Sequence, residues 1–276
     1  MLESTIVTGQ FGYSISLIAL VEVGEGSKIV MSAHSSITLE KMITLSSQWE
    51  SVGDRRYVFL KCYGMMTANM FSAIDRGQFN DSAWVHILLE NFANYYFRAL
   101  EAYQAVACAS PRVWQIAFQV ADRSEFKPVQ HLLLGVNAHI NYDLVFAVVD
   151  LIAPEWNRLT VVEQAARYED YCLVNDIIRQ TIDAVQDDIL EKDNPLMSVI
   201  DIAMFRVDEW LISRFVNNWR DQVWSQAIKL TTSEDEHETV VLQDKVETRA
   251  LHLARWIMGY PIAVPKDDLG KLWLSP

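Results

Sequence analysis

The amino-acid sequence predicts an all-α fold: one multi-helix domain built around a buried central helix, with a small N-terminal β-hairpin beside it. Three observations carry that reading. Helix start and stop signals recur from Thr38 to Gly259 and Pro261. No repeat, low-complexity tract or long linker divides this array, so one domain is the economical organisation. Between Leu132 and Val149 nearly every residue is apolar whichever side of a helix it falls on, the pattern of a helix enclosed by others.

Residues 1–36 differ from the rest and are read as an N-terminal extension. Residues 14–23 and 27–31 are β-prone and are separated by Gly24, Glu25 and Gly26, which spells a hairpin. From Thr38 the periodicity is helical, and helices are expected near 38–51, 55–76, 82–107, 111–122, 128–152, 161–191, 196–229 and 234–258. Asp81 precedes Ser82, Ser110 precedes Pro111, and Asn194 precedes Pro195, each a start signal. Thr160 with Glu163 and Ser233 with Glu236 have capping-box spacing, and Pro154 and Gly259 mark stops. The helical domain is thus assigned to residues 37–259, leaving 260–276 as a C-terminal tail.

With 276 residues, 51% of them hydrophobic and 11% aromatic, the chain can bury a large core and is not a disordered sequence. Its net charge of -13 repels nucleic acid and anionic membrane surfaces, so neither is expected as a partner. Cys62, Cys108 and Cys172 are odd in number and form no CxxC pair, which fits reduced thiols and a cytoplasmic location. The apolar run 11–23 has only Glu3 as a charge ahead of it and lacks the basic flank of a secretory signal. The run 132–149 is disfavoured as a membrane span because His139 and Asp143 lie within it, and each ionisable group costs about 3 kcal/mol there.

Candidate chemistry concentrates in that same apolar run, which carries Asn137, His139, Asn141 and Asp143. At about 100° per residue, His139 and Asp143 share one face and Asn137 and Asn141 share roughly the opposite one. Buried amides and carboxylates need partners, and the following helix offers Tyr171, Asn175, Arg179 and Asp183 at four-residue spacing, with Asp170 adjoining and Arg158 and Arg167 upstream. A network linking the two helices is expected. A carboxylate beside His139 would fix its tautomer and raise its pKa, the arrangement used in general acid–base catalysis. The expectation is a small-molecule enzyme of lyase, isomerase, cyclase or hydrolase type, with His139 and Asp143 catalytic and Asn137, Asn141, Asp170, Asn175 and Arg179 supporting. The alternative is a ligand-binding or scaffold protein whose polar network only sets helix register.

The stretch from Leu133 to Leu144, with its Asn-Ala-His-Ile-Asn core, resembles the signature of a helical family known as domain of unknown function 5995. Further matching features are residues 38–42, 59–67 and 77–81, Phe92, Tyr96, Pro111, Trp114, Phe118, Asp170, Tyr171, Val174 and Asn175. The resemblance covers about residues 38–230. It implies an all-helical fold and no established activity, and it does not extend to the first 36 residues or the last forty or so.

Other chemistries fit the residues less fully. A divalent metal on His139 and Asp143 would need a third ligand, from Asp170 or from His86 and Glu90. His86 and His131 are not signature positions of the resembled family, which weakens a site that depends on them. A di-iron carboxylate site lacks its paired motifs, and no HExxH, GxSxG, P-loop or complete GxGxxG occurs. Asp187, Asp188 and Glu191 have the spacing of a terpene-synthase magnesium motif, but Lys192, Asp193, Asn194 and Pro195 follow at once, as on a solvated helix end. Trp210, Trp219 and Trp224, interleaved with Arg206, Arg214 and Arg220, either fill core or line a pocket for an apolar or aromatic molecule.

Overall fold

The computed structural model describes residues 37–189 and 209–259; for Asn175 and for residues 179–189 and 209–218 it describes the backbone alone. The N-terminal hairpin, the start at Asn194 and Pro195, Glu191 and the tail lie outside the described residues, as do the side chains of Asn175, Arg179, Asp183, Asp187, Asp188 and Trp210.

Eight helices make up the described residues: α1 Ile37–Val52, α2 Tyr57–Asp75, α3 Ser82–Ala105, α4 Arg112–Ala121, α5 Pro128–Ile152, α6 Val161–Ile189, α7 Glu209–Thr232 and α8 Glu236–Ile257. The all-helical expectation holds, and no strand occurs among them. Local chemistry explains the ends. The Asp81 carboxylate accepts from the Trp84 N–H at 2.9 Å and opens α3. Glu163 accepts from the Thr160 N–H at 2.7 Å while Thr160 Oγ1 accepts from the Glu163 N–H, so α6 begins on the expected capping box. At α8 the expectation is corrected. Asp235, not Ser233, is the cap, because its extended backbone aims the carboxylate at the His237 N–H, 2.9 Å away. Ser233 Oγ instead donates to the Asp235 carbonyl.

The middle of the bundle is α5, and α2, α3, α4, α7 and α8 all pack on it. Its first half contributes Leu132, Leu134 and Ala138 to one hydrophobic cluster, with Phe59, Tyr96, Trp114 and Ala250. Its second half contributes Leu144, Val145, Val148 and Ile152 to another, with Trp84, Tyr171, Val223 and Trp224. By length and composition α5 could cross a membrane, but 67% of its apolar window is buried inside the protein. The start of α5 is tied down by Gln130, whose Oε1 accepts from the Lys127 N–H and whose Nε2 donates to the Ile257 carbonyl, both at 2.9 Å.

At Gly135 the central helix packs directly against Phe59 of α2. A Cβ there would lie 2.4 Å from Phe59 Cγ and 2.8 Å from Phe59 Cβ, so only glycine lets α5 and α2 meet with the Phe59 ring in its present position. Gly135→Ala is therefore expected to lower stability by about 1–3 kcal/mol, the usual cost of overpacking. Urea unfolding checks this, and Phe59→Leu should recover part of the loss in the double variant. An unchanged midpoint in Gly135→Ala would show that the ring gives way freely.

Candidate functional site

The polar residues of α5 sit where its regular hydrogen bonding breaks. Pro128–Ala138 and Leu144–Ile152 are α-helical, but His139–Asp143 forms one π-helical turn, with the Leu144 N–H donating to the His139 carbonyl. Such turns insert an extra residue, displacing side chains from the regular register, and they recur at functional sites.

On one side of that turn His139 Nδ1 lies 3.0 Å from Asp143 Oδ2. The same oxygen accepts a hydrogen bond from Trp114 Nε1 of α4 at 2.9 Å. Both members of the pair are enclosed, with His139 3% and Asp143 1% exposed. Phe92 of α3 stacks flat on the imidazole, centroid to centroid 3.5 Å, and Tyr63 of α2 meets it edge-on at 4.4 Å. Phe59, Tyr96 and Trp114 complete an aromatic surround.

Burial decides the protonation of this pair. It holds His139 well below its ordinary value of 6.5, and the nearby Arg220 charge acts in the same direction. The expected upward shift from Asp143 is thereby reversed, because desolvation outweighs the one carboxylate contact. Burial also drives Asp143 well above its ordinary 3.8, against the opposing Trp114 hydrogen bond and Arg98 charge. Both groups move toward their uncharged forms. When the imidazole proton is on Nδ1, Nδ1 donates a hydrogen bond to Asp143 Oδ2 and Nε2 carries the lone pair. Nε2 is buried and has no hydrogen-bond partner among the described residues.

His139 also lines a cavity of about 140 Å³ between α2, α3, α5, α6 and α7. Along α2 the lining residues are Phe59, Cys62, Tyr63, Met66, Thr67 and Met70, a stripe at helical spacing. Leu88, Leu89 and Phe92 from α3, Leu132, Leu133, Val136, Ile140 and Leu144 from α5, and Val174 and Ile178 from α6 make the rest almost wholly apolar. Burial pushes the Cys62 thiol up to about 11, so it serves as an apolar lining group and not as a nucleophile. Besides His139 and Thr67, the polar lining residue is Arg220 of α7, a guanidinium only 2% exposed.

The other expected site residues lie elsewhere. Asn141 Nδ2 donates to Asn137 Oδ1 at 3.1 Å, and Asn137 Nδ2 donates to the Ala250 carbonyl of α8 at 2.8 Å, so these amides fasten α5 to α8. Neither lines the cavity. Asp170 accepts from the Asn80 and Asp81 N–H groups at 2.7 and 2.8 Å and holds the turn before α3. Tyr171 donates its hydroxyl to the Arg220 carbonyl at 2.8 Å, and Arg167 pairs with Asp81 and Glu155. Asp170, Tyr171 and Arg167 thus bond to backbone groups, to α7 and to Asp81 and Glu155 rather than to the polar stripes of α5, while the side chains of Asn175, Arg179 and Asp183 lie outside the described residues. Nor do any three His, Cys, Asp or Glu side chains among them converge as metal ligands. His86 packs on Phe71, and Glu90 accepts from Thr38.

Arg220 was legible only in part. It shares a stripe with Val223, Trp224 and Ala227, which are all buried, and a cation on an apolar stripe is the available signal. The cavity itself needed five helices to be assembled.

The model of a family described as Family of unknown function (DUF5995) matches residues 36–260. The match takes in α8, beyond the reach of the resemblance seen in the sequence. No curated protein and no solved structure matches the chain.

The buried neutral imidazole has a pH signature. As pH falls through 6.5, an unfolded chain's histidine takes up a proton that folded His139 refuses, so falling pH favours unfolding until the lower folded value is reached. Asp143 works oppositely, since between 3.8 and its raised folded value an increase in pH favours the unfolded chain. His139→Gln removes only the first contribution. The stability advantage of the parent over this variant should narrow between about pH 7.5 and 5.5, by up to about 1.4 kcal/mol per pH unit below 6.5. A gap independent of pH in urea titrations would mean that His139 is not held neutral.

Proposed function

We propose that the chain, which belongs to the DUF5995 family of unknown function, is a small-molecule enzyme that takes an apolar or aromatic substrate into the interhelical cavity and uses His139 as general acid or base. The observation that carries this reading is the asymmetry of the imidazole: Nδ1 is engaged by Asp143 while Nε2 is unpartnered, on a residue that lines the cavity. A general base needs a neutral, oriented imidazole and a space beside it for the reacting molecule. Burial supplies the first condition, the Asp143 and Phe92 contacts the second, and the cavity the third. Asp143 is a positioning residue in this scheme, and Trp114 holds Asp143 in turn.

The nearly apolar lining also favours a second reading, a binding protein that holds its ligand unchanged. The two readings differ in what His139 does to a bound molecule. Aromatic and short aliphatic compounds can be screened for binding by ligand-detected NMR, and those that bind incubated with the protein in deuterated water. Catalysis predicts proton–deuterium exchange or another conversion of a bound compound, falling by about 10²–10⁴-fold in His139→Gln. Compounds that bind equally to both proteins and emerge unchanged from both would establish the binding protein instead.

A further inference from the structure

A buried cation, Arg220, sits in the wall of this cavity. The Arg220 guanidinium is 2% exposed, its Nε is buried with no hydrogen-bond partner, and no carboxylate pairs with it among the described residues. Among the described residues its face meets the Tyr171 ring, 4.7 Å from the guanidinium carbon. Taking an ion out of water costs several kcal/mol even after the protein relaxes, and a single aromatic face returns about 2 kcal/mol. Among the described residues that cost is offset only in part, by the Tyr171 face and the charge of Asp221. Cation and cavity together suit a molecule with an apolar body and an anionic end.

Resting on the cavity reading above, we propose that the ligand is a small apolar monocarboxylate, its carboxylate on Arg220 and its hydrocarbon part among the α2, α3 and α5 side chains. Guanidinium matches carboxylate geometry with two parallel N–H donors, which makes arginine the residue suited to such an end group. His139 lines the same cavity and leaves Nε2 unpaired, so a second polar point is available to the same molecule. Size bounds the rest. An apolar cavity of about 150 Å³ accommodates benzene, and the one here is about 140 Å³. The hydrocarbon part is therefore sized at about one ring or a short alkyl chain, as in benzoate.

The test compares benzoate with benzyl alcohol and toluene on the full chain by isothermal titration calorimetry or ligand-detected NMR, and repeats the series on Arg220→Gln and Arg220→Lys. The unmodified protein is expected to bind benzoate at least about tenfold more tightly than the alcohol, the worth of a hydrogen bond to a charged group. Arg220→Gln should abolish that preference while still binding toluene, and Arg220→Lys should keep part of it. If the neutral compounds bind as tightly as benzoate, or Arg220→Gln leaves benzoate affinity unchanged, the carboxylate assignment falls and the apolar cavity stands. If none of the three binds the unmodified chain, the cavity reading falls as well. Should Arg220→Gln fail to fold, the acid-to-alcohol ratio on the unmodified chain decides the question.

Discussion

The 3.0 Å contact between His139 and Asp143 organises the centre of this protein, because it lies on a helix with almost no other polar surface to offer it. A polar side chain on an enclosed apolar helix must be satisfied by something inside the protein or carry a desolvation cost of a few kcal/mol. Trp114 donates from α4, and Phe92 and Tyr63 cover the ring from α3 and α2. Three neighbouring helices are thus positioned by one pair, and the π-helical turn at His139–Asp143 marks where α5 gives up regular bonding.

The two polar stripes of α5 have different fates. Asn137 and Asn141 bond to each other and to α8, which is how a buried network specifies packing. His139 keeps Nε2 unpaired beside a cavity. His139 lines the cavity, whereas Asn137 and Asn141 do not.

Arg220 extends the same logic to α7. Burial disfavours charge on His139 and Asp143, which lose it by moving toward their neutral forms, whereas a guanidinium stays protonated and must be balanced by its surroundings. Its position in an otherwise apolar wall gives the cavity a polar end, and His139 gives it another polar point. In the proposed reading those two features would orient an amphipathic ligand.

The helical architecture and the central role of residues 128–152 were determined by the sequence alone, because period, caps and uniform apolarity are local properties of a chain. The pairing of His139 with Asp143 was legible for the same reason, since i,i+4 neighbours on a helix meet whatever surrounds them. Asp170 and Tyr171 were misjudged because their partners, the Asn80 and Asp81 amides and the Arg220 carbonyl, are distant in sequence. Only the tertiary structure decided which nitrogen of His139 remains free, how far burial overrides the Asp143 carboxylate, and that Arg220 reaches the same cavity as His139. Each of those depends on desolvation and on an enclosure made by five helices, which exist only once the bundle has closed.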